Sequence, residues 1–231
     1  MMLSSAEWQA VWLSLQVAST AVLFSLPLGI IVAWLLVRRQ FPGKIILDCV
    51  VHLPLVLPPV VIGYLLLLGF GRRGFPGRYL DDWFGFTFAF SWRGAALASA
   101  VIAFPLLVRA IRLAFEGVDR RLELAARTLG AGRVRVFFTI TLPLLLPGIT
   151  TGAVLAFARS LGEFGATITF VSNIPGETRT LPSAMYTLIE TPGAEQAAGR
   201  LCIVAIVLSF AALLLSELLT GWGRKRLGEK C

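Results

Sequence analysis

The sequence predicts an all-α, polytopic membrane protein of about five transmembrane helices. Three observations carry that prediction. Hydrophobic residues make up 57% of the 231 positions and charged residues 15%, with a mean hydropathy of +0.80, a balance that a water-soluble domain would struggle to keep in solution. The apolar residues gather into five stretches of about twenty residues or more, the length that spans a bilayer. Basic residues are shared unevenly between the segments that join these stretches, which fixes an orientation.

The first stretch, 11–37, has no basic residue before it and is too long for the apolar part of a cleaved signal peptide, so it reads as a retained span. Trp12 and Trp34 are separated by about 33 Å at helical rise, near the thickness of the hydrocarbon layer. Together with Trp8 and Trp222 they read as interfacial anchors. The second stretch, 45–70, is crowded by Pro54, Pro58 and Pro59; the third, 94–114, holds Pro105; the fourth, 136–158, holds Pro143 and Pro147. Each proline removes a backbone donor and kinks or breaks its helix. Such breaks serve either as packing kinks or as part of a moving pathway, and the cluster at 54–59 favours the pathway.

The segment 159–199 reads as a re-entrant or external connection before the fifth stretch, 201–219. Its first part is apolar but rich in Gly and Thr and is interrupted by Glu163, which suits a half-spanning piece covered by protein or water. Its second part carries Pro175, Gly176, Pro182, Pro192 and Gly193 and predicts an external loop with a short helix. Arg159 and Glu163 are spaced for an i, i+4 pair on one helix. With Ser160 and Thr167 nearby, the hydroxyls offer neutral donors that would pass an oxyanion without gripping it. Pro54, Pro58, Pro59, Arg159, Ser160, Glu163 and Thr167 are therefore the candidate pathway residues.

With the N-terminus outside and five crossings, the inner segments hold fourteen of the 21 Lys and Arg residues: Arg38, Arg39, Lys44, seven arginines between Arg109 and Arg135, and Arg224, Lys225, Arg226 and Lys230. The bias places the N-terminus outside, the C-terminus in the cytoplasm and the 118–135 loop in the cytoplasm. Arg72, Arg73, Arg78 and Arg93 oppose the bias. They either attract an anion or form a solvated network with Asp81 and Asp82.

That cytoplasmic loop is the most informative part of the chain. Val118, Leu122, Ala125, Ala126 and Leu129 fall on one helical stripe, with Asp119 as N-cap and Gly130 as C-terminal stop. A helix this short gains little by standing alone, so its apolar stripe calls for a partner in another protein. The frame Ala125-Ala126, Gly130, then Ile140-Thr141-Leu142-Pro143 resembles the "EAA" loop of permease subunits of ABC importers. The family's usual leading Glu falls at Leu124, with Glu123 one place earlier. The resemblance implies a type I ABC importer transmembrane domain whose coupling helix docks on a separate ATPase through Glu123, Leu124, Ala125, Ala126, Gly130, Ile140, Leu142 and Pro143.

The resemblance narrows on Arg-Arg-Gln-Phe-Pro-Gly-Lys at 38–44, Leu-Pro-Leu-Val-Leu-Pro-Pro-Val-Val at 53–61, Gly-Arg-Arg-Gly-Phe at 71–75 and Ala-Arg-Ser-Leu-Gly-Glu-Phe-Gly-Ala-Thr at 158–167. These are similar to permeases of bacterial molybdate importers, with sulfate permeases sharing much of the vocabulary. What this implies is a homodimer in the bacterial inner membrane, surrounded by lipid, bound to two cytoplasmic ABC ATPase subunits and fed by a periplasmic molybdate-binding protein. Tungstate would be handled like molybdate.

Other classes find less support. The chain has no G-x-x-x-x-G-K-[ST], H-E-x-x-H or G-x-S-x-G, so ATP and Mg would be bound by the partner ATPase and no cofactor by this chain. One histidine and three scattered cysteines make neither a zinc site nor a disulfide framework. An ion-driven transporter would need titratable groups near mid-membrane, a membrane enzyme a polar cluster at one interface, and neither pattern is clear. Nothing in the sequence calls for nucleic acid.

Overall fold

The computed structural model describes residues 3–72 and 74–226; Arg73, Lys230 and Cys231 lie outside the described residues, as do the side chains of Trp222, Arg224, Lys225 and Arg226. The regular elements among them are all helical: α1 (Ser5–Arg38), α2 (Lys44–Val56), α3 (Pro59–Phe70), α4 (Phe75–Phe84), α5 (Trp92–Gly117), α6 (Arg120–Thr128), α7 (Arg133–Val136), α8 (Leu142–Leu161), α9 (Gly165–Val171), α10 (Leu181–Glu190) and α11 (Glu195–Arg226). Ser5–Arg38, Trp92–Gly117, Arg133–Leu161 and Glu195–Leu215 are long and apolar enough to cross a membrane.

The 45–70 stretch, expected as one span, is instead the pair α2 and α3, bent by 116° at their junction. The cause is local. Pro58 and Pro59 remove two successive donors, and a proline after Leu57 holds that residue extended, at φ −70° and ψ 141°. Pro27, Pro105 and Pro147 by contrast sit inside helices that run on, and Pro54 lies in the last turn of α2. Single prolines leave these helices continuous, and the adjacent pair breaks.

α1 threads three clusters of buried side chains in order. Ala10 and Val11 pack with Leu181 and Leu201; Val17 packs with Ile62, Ala95, Ile102 and Phe170; Ala33 and Leu36 pack with Leu107, Ile111, Phe115 and Leu145. The last cluster lies at the end of the bundle that carries α6, the first at the far end. Both ends are tied. Arg38, at the end of α1, meets Glu123 of α6 at 2.7 Å. Glu7, at its start, caps with Ser4 and pairs with Arg200 of α11 at 2.9 Å.

These ties give the path of the chain. α2 starts at the α6 end, where Asp48 pairs with Arg112 at 3.1 Å. α3 finishes beside the middle cluster, away from α6, where Phe70 stands edge-on to Phe88 at 5.6 Å. α5 returns to the α6 end, α7 and α8 leave it again, and α11 starts beside Glu7 at the far end. Four helices are long and apolar enough to cross a membrane, and the bent pair makes five when counted as one broken span.

The fourth passage is irregular at both ends. α7 joins α8 through a π-helical turn, Phe137–Thr141, in which the Leu142 N–H donates to Phe137 O. Pro143 follows at once; its ring would press on the carbonyl four residues back in a regular helix, and the widened turn accommodates it. α8 stops at Leu161, and α9 resumes after Glu163 with Ala166, Phe170 and Val171 fully buried. The 159–171 stretch therefore lies inside the bundle, and the predicted external segment up to 199 holds a loop, α10 and the first turn of α11.

Candidate functional site

α6 is built from the residues that delimit it. Asp119 accepts the Arg121 N–H at 2.9 Å as N-cap. Gly130, at φ +85°, ends the helix in a Schellman motif: Ala131 N–H reaches Ala126 O and Gly130 N–H reaches Arg127 O, both at 3.1 Å. None of its nine residues is buried. Leu122 is 49% exposed, Leu124 57% and Leu129 88%; of the predicted stripe only Val118 is buried among the described residues, so the leucines of α6 stay open.

One carboxylate oxygen holds this helix to the bundle. Glu123 Oε1 accepts from Arg38 Nη2 at 2.7 Å and from Thr141 Oγ1 at 2.8 Å. It thereby joins α6 to the end of α1 and to the π turn. Ile140 and Leu142 are half-buried beside Thr141, and Leu142 packs on the cluster around Leu145. Arg38 and Thr141 were not among the sequence-derived candidates. They lie 85 and 18 positions from Glu123, beyond the reach of any local pattern.

Next to α6 a groove of about 800 Å³ opens between α5 and α8. Asp119 and Leu122 form its α6 side, and Arg109, Leu113, Thr151 and Leu155 lie along it. Arg109 entered the sequence reading only as an inner positive charge. Its position among Leu106, Leu107, Val108, Ala110 and Ile111, one turn inside Arg112, is the signal that could have marked it. Below the groove α5 and α8 cross closely on small residues, since a methyl at Gly148 would collide with the Ala114 side chain.

The candidate pathway residues fall into two groups that the fold brings together. Pro58 and Pro59 form the start of α3, and a side chain added at Gly165 would meet Pro59 Cβ at 2.9 Å. One added at Gly63 would come within 2.5 Å of Ala166 O, so α3 and α9 run backbone against backbone. The break in the second passage therefore faces the break in the fourth. Pro54 lies in the last turn of α2, apart from this contact.

Glu163 is 2% exposed and sits between helices rather than on one. It pairs with Arg159 at 2.9 Å and accepts the Ala166 N–H at 2.8 Å, capping α9. The i, i+4 spacing was read correctly, but Gly162 ends the helix between the two. Thr167 is buried and donates to Phe164 O at 2.9 Å. Ser160 is buried too, and its hydroxyl has no protein partner. All three are enclosed by this chain alone.

At the far end, Arg78 and Asp82 form an exposed pair at 3.7 Å, and Arg93 lies over the Phe86 and Trp92 rings. Of the predicted network among these arginines, Asp81 and Asp82, the Arg78–Asp82 pair is present, Arg93 stacks on rings instead, and Arg73 lies outside the described residues.

Comparison with known proteins places this geometry. Residues 25–227 match the family model described as binding-protein-dependent transport system inner membrane component. The chain is 73% identical, over 99% of its length and 100% of the relative's, to the molybdenum transport system permease protein ModB of Escherichia coli. It is 32% identical, over 99% of its length and 87% of the relative's, to the sulfate transport system permease protein CysT of Salmonella typhimurium. Its fold matches a chain of a bacterial alginate ABC transporter solved in complex with an alginate-bound periplasmic protein, with a TM-score of 0.74 at 18% identity, over 98% of this chain and 81% of that one. The expected class, an all-α multi-pass transport component, agrees with these likenesses. The chain belongs to the binding-protein-dependent transport system inner membrane component family.

Proposed function

We propose that this chain forms the inner-membrane pathway of an ATP-driven molybdate importer, working as a homodimer with two cytoplasmic ATPase subunits and a periplasmic molybdate-binding protein. The observation that carries the substrate is the full-length 73% identity to a molybdenum permease, set against 32% to a sulfate permease. Tungstate, of like charge and shape, follows molybdate. ATP and Mg bind the ATPase, and this chain holds no cofactor.

α6 is the coupling helix. Leu122, Ala125, Ala126 and Leu129, which share one face, meet the ATPase, with Leu124 at its edge; Gly130 ends the docking surface. Glu123 faces inward and passes the motion to α1 through Arg38 and to α8 through Thr141, with Ile140, Leu142 and Pro143 forming the joint. The charge bias supports a periplasmic N-terminus and a cytoplasmic C-terminus, which sets α6 where an ATPase is found. When ATP closes the two ATPases, the α6 helices of both copies are drawn together and the α5–α8 groove changes shape. Arg109 attracts the dianion there, and the two facing helix breaks let α3 and α9 shift past each other.

The test is labelled molybdate uptake in cells lacking the chain and complemented with it, with excess sulfate as competitor. Uptake that sulfate leaves untouched is expected. Uptake abolished by the excess sulfate would move the chain to sulfate, and uptake independent of the ATPase would end the coupling reading.

A further inference from the structure

A second, chemically different cleft of about 690 Å³ lies on the other side of α6, between the last turns of α1 and the α7–π junction. Three arginines, Arg120, Arg127 and Arg133, form its cationic side, all exposed and without an ion-pair partner among the described residues. Glu123 is the one acid on its wall, and Arg38 already neutralises it at 2.7 Å. The opposing side is apolar, formed by Ile31, Val134 and Phe138, all of them exposed.

Ile31 is the last member of a stripe. Phe24, Leu28 and Ile31 are all exposed and follow the i, i+4, i+7 pattern of one helix face. In a helix that crosses a bilayer this face meets hydrocarbon, and it leads directly into the cleft. A ligand that fills both halves must carry a negative head and an apolar tail. A free tetrahedral oxyanion would use the arginines and leave the apolar wall empty.

We propose that this cleft binds an anionic phospholipid from the leaflet at the α6 end, with its phosphate between Arg120, Arg127 and Arg133 and one acyl chain along Phe24, Leu28 and Ile31. Basic pockets between membrane helices at an interface recognise acidic head groups in this way. Bound there, the lipid joins the end of α1 to α6 and stiffens the same link that Glu123 makes. The site requires only that α1 crosses a bilayer, so it stands apart from the identity of the transported ion.

The test uses the full-length chain with its ATPase in nanodiscs of phosphatidylcholine and phosphatidylglycerol, followed by native mass spectrometry after detergent release. The wild type should retain phosphatidylglycerol in preference to phosphatidylcholine. R127Q/R133Q should retain about tenfold less, and R127K/R133K should restore retention. Ile31→Asn, which leaves the charges intact, should also lower it. Equal retention by wild type and R127Q/R133Q would overturn the site. Unchanged retention with loss of the ATPase subunit would assign the arginines to a protein partner instead. Full displacement by soluble glycerophosphoglycerol would reduce the cleft to a phosphate site without a role for the tail.

Discussion

α6 and α9 are both short helices flanked by breaks, and they solve the same problem in opposite ways. A helix of seven to nine residues is marginal alone. α9 is rescued by its own chain: Phe170 and Val171 are fully buried, and Glu163 caps it from inside. α6 is held by caps and one carboxylate, and its leucines stay open. The difference teaches where each helix finds its missing contacts. α9 is closed by its own bundle, whereas α6 leaves its leucines open, as the proposed docking on an ATPase requires.

Substitutions should separate the two, ranked here by their cost to the isolated chain. Phe170→Ala opens a cavity where no neighbour can follow and should cost about 3 kcal/mol, seen as a lower thermal midpoint in detergent and less protein in the membrane. Gly148→Val forces α5 from α8 and should cost about 2 kcal/mol, with the same readout. Glu163→Gln weakens the pair with Arg159 while keeping a cap for α9, for about 1 kcal/mol. Leu129→Asp should change stability by less than about 0.5 kcal/mol, because the side chain is exposed, yet molybdate uptake should fall to background. If Leu129→Asp lowers the thermal midpoint as far as Phe170→Ala does, the contrast between the two helices is wrong. If it leaves uptake intact, α6 is not the docking helix.

The boundaries of α6 were legible because caps are local: an Asp before the helix and a Gly after it state the start and stop. The break at 57–59 was legible for the same reason, since prolines act on their neighbours, although its 116° angle was not. Glu163 was half legible. Its spacing from Arg159 is a short-range signal, but its burial depends on α3 and α5 closing around α9. The Arg38–Glu123–Thr141 junction could not be read at all, because it exists only once α1 and α8 stand side by side. Arg109 was visible as a charge and became a groove residue only when α5 met α8.

The π turn at Phe137–Thr141 has a consequence for the angular register of α7. A π turn carries one residue more than regular α geometry, and a residue is worth about 100° of rotation about the axis. α7, which runs straight into it, is therefore turned by about that angle relative to the faces of α8. Deleting one residue between 137 and 141 would mend the helix and leave every side chain of α6 chemically intact. It would also swing α7, the point from which the Gly130–Gly132 turn leads back to α6, by about a quarter turn.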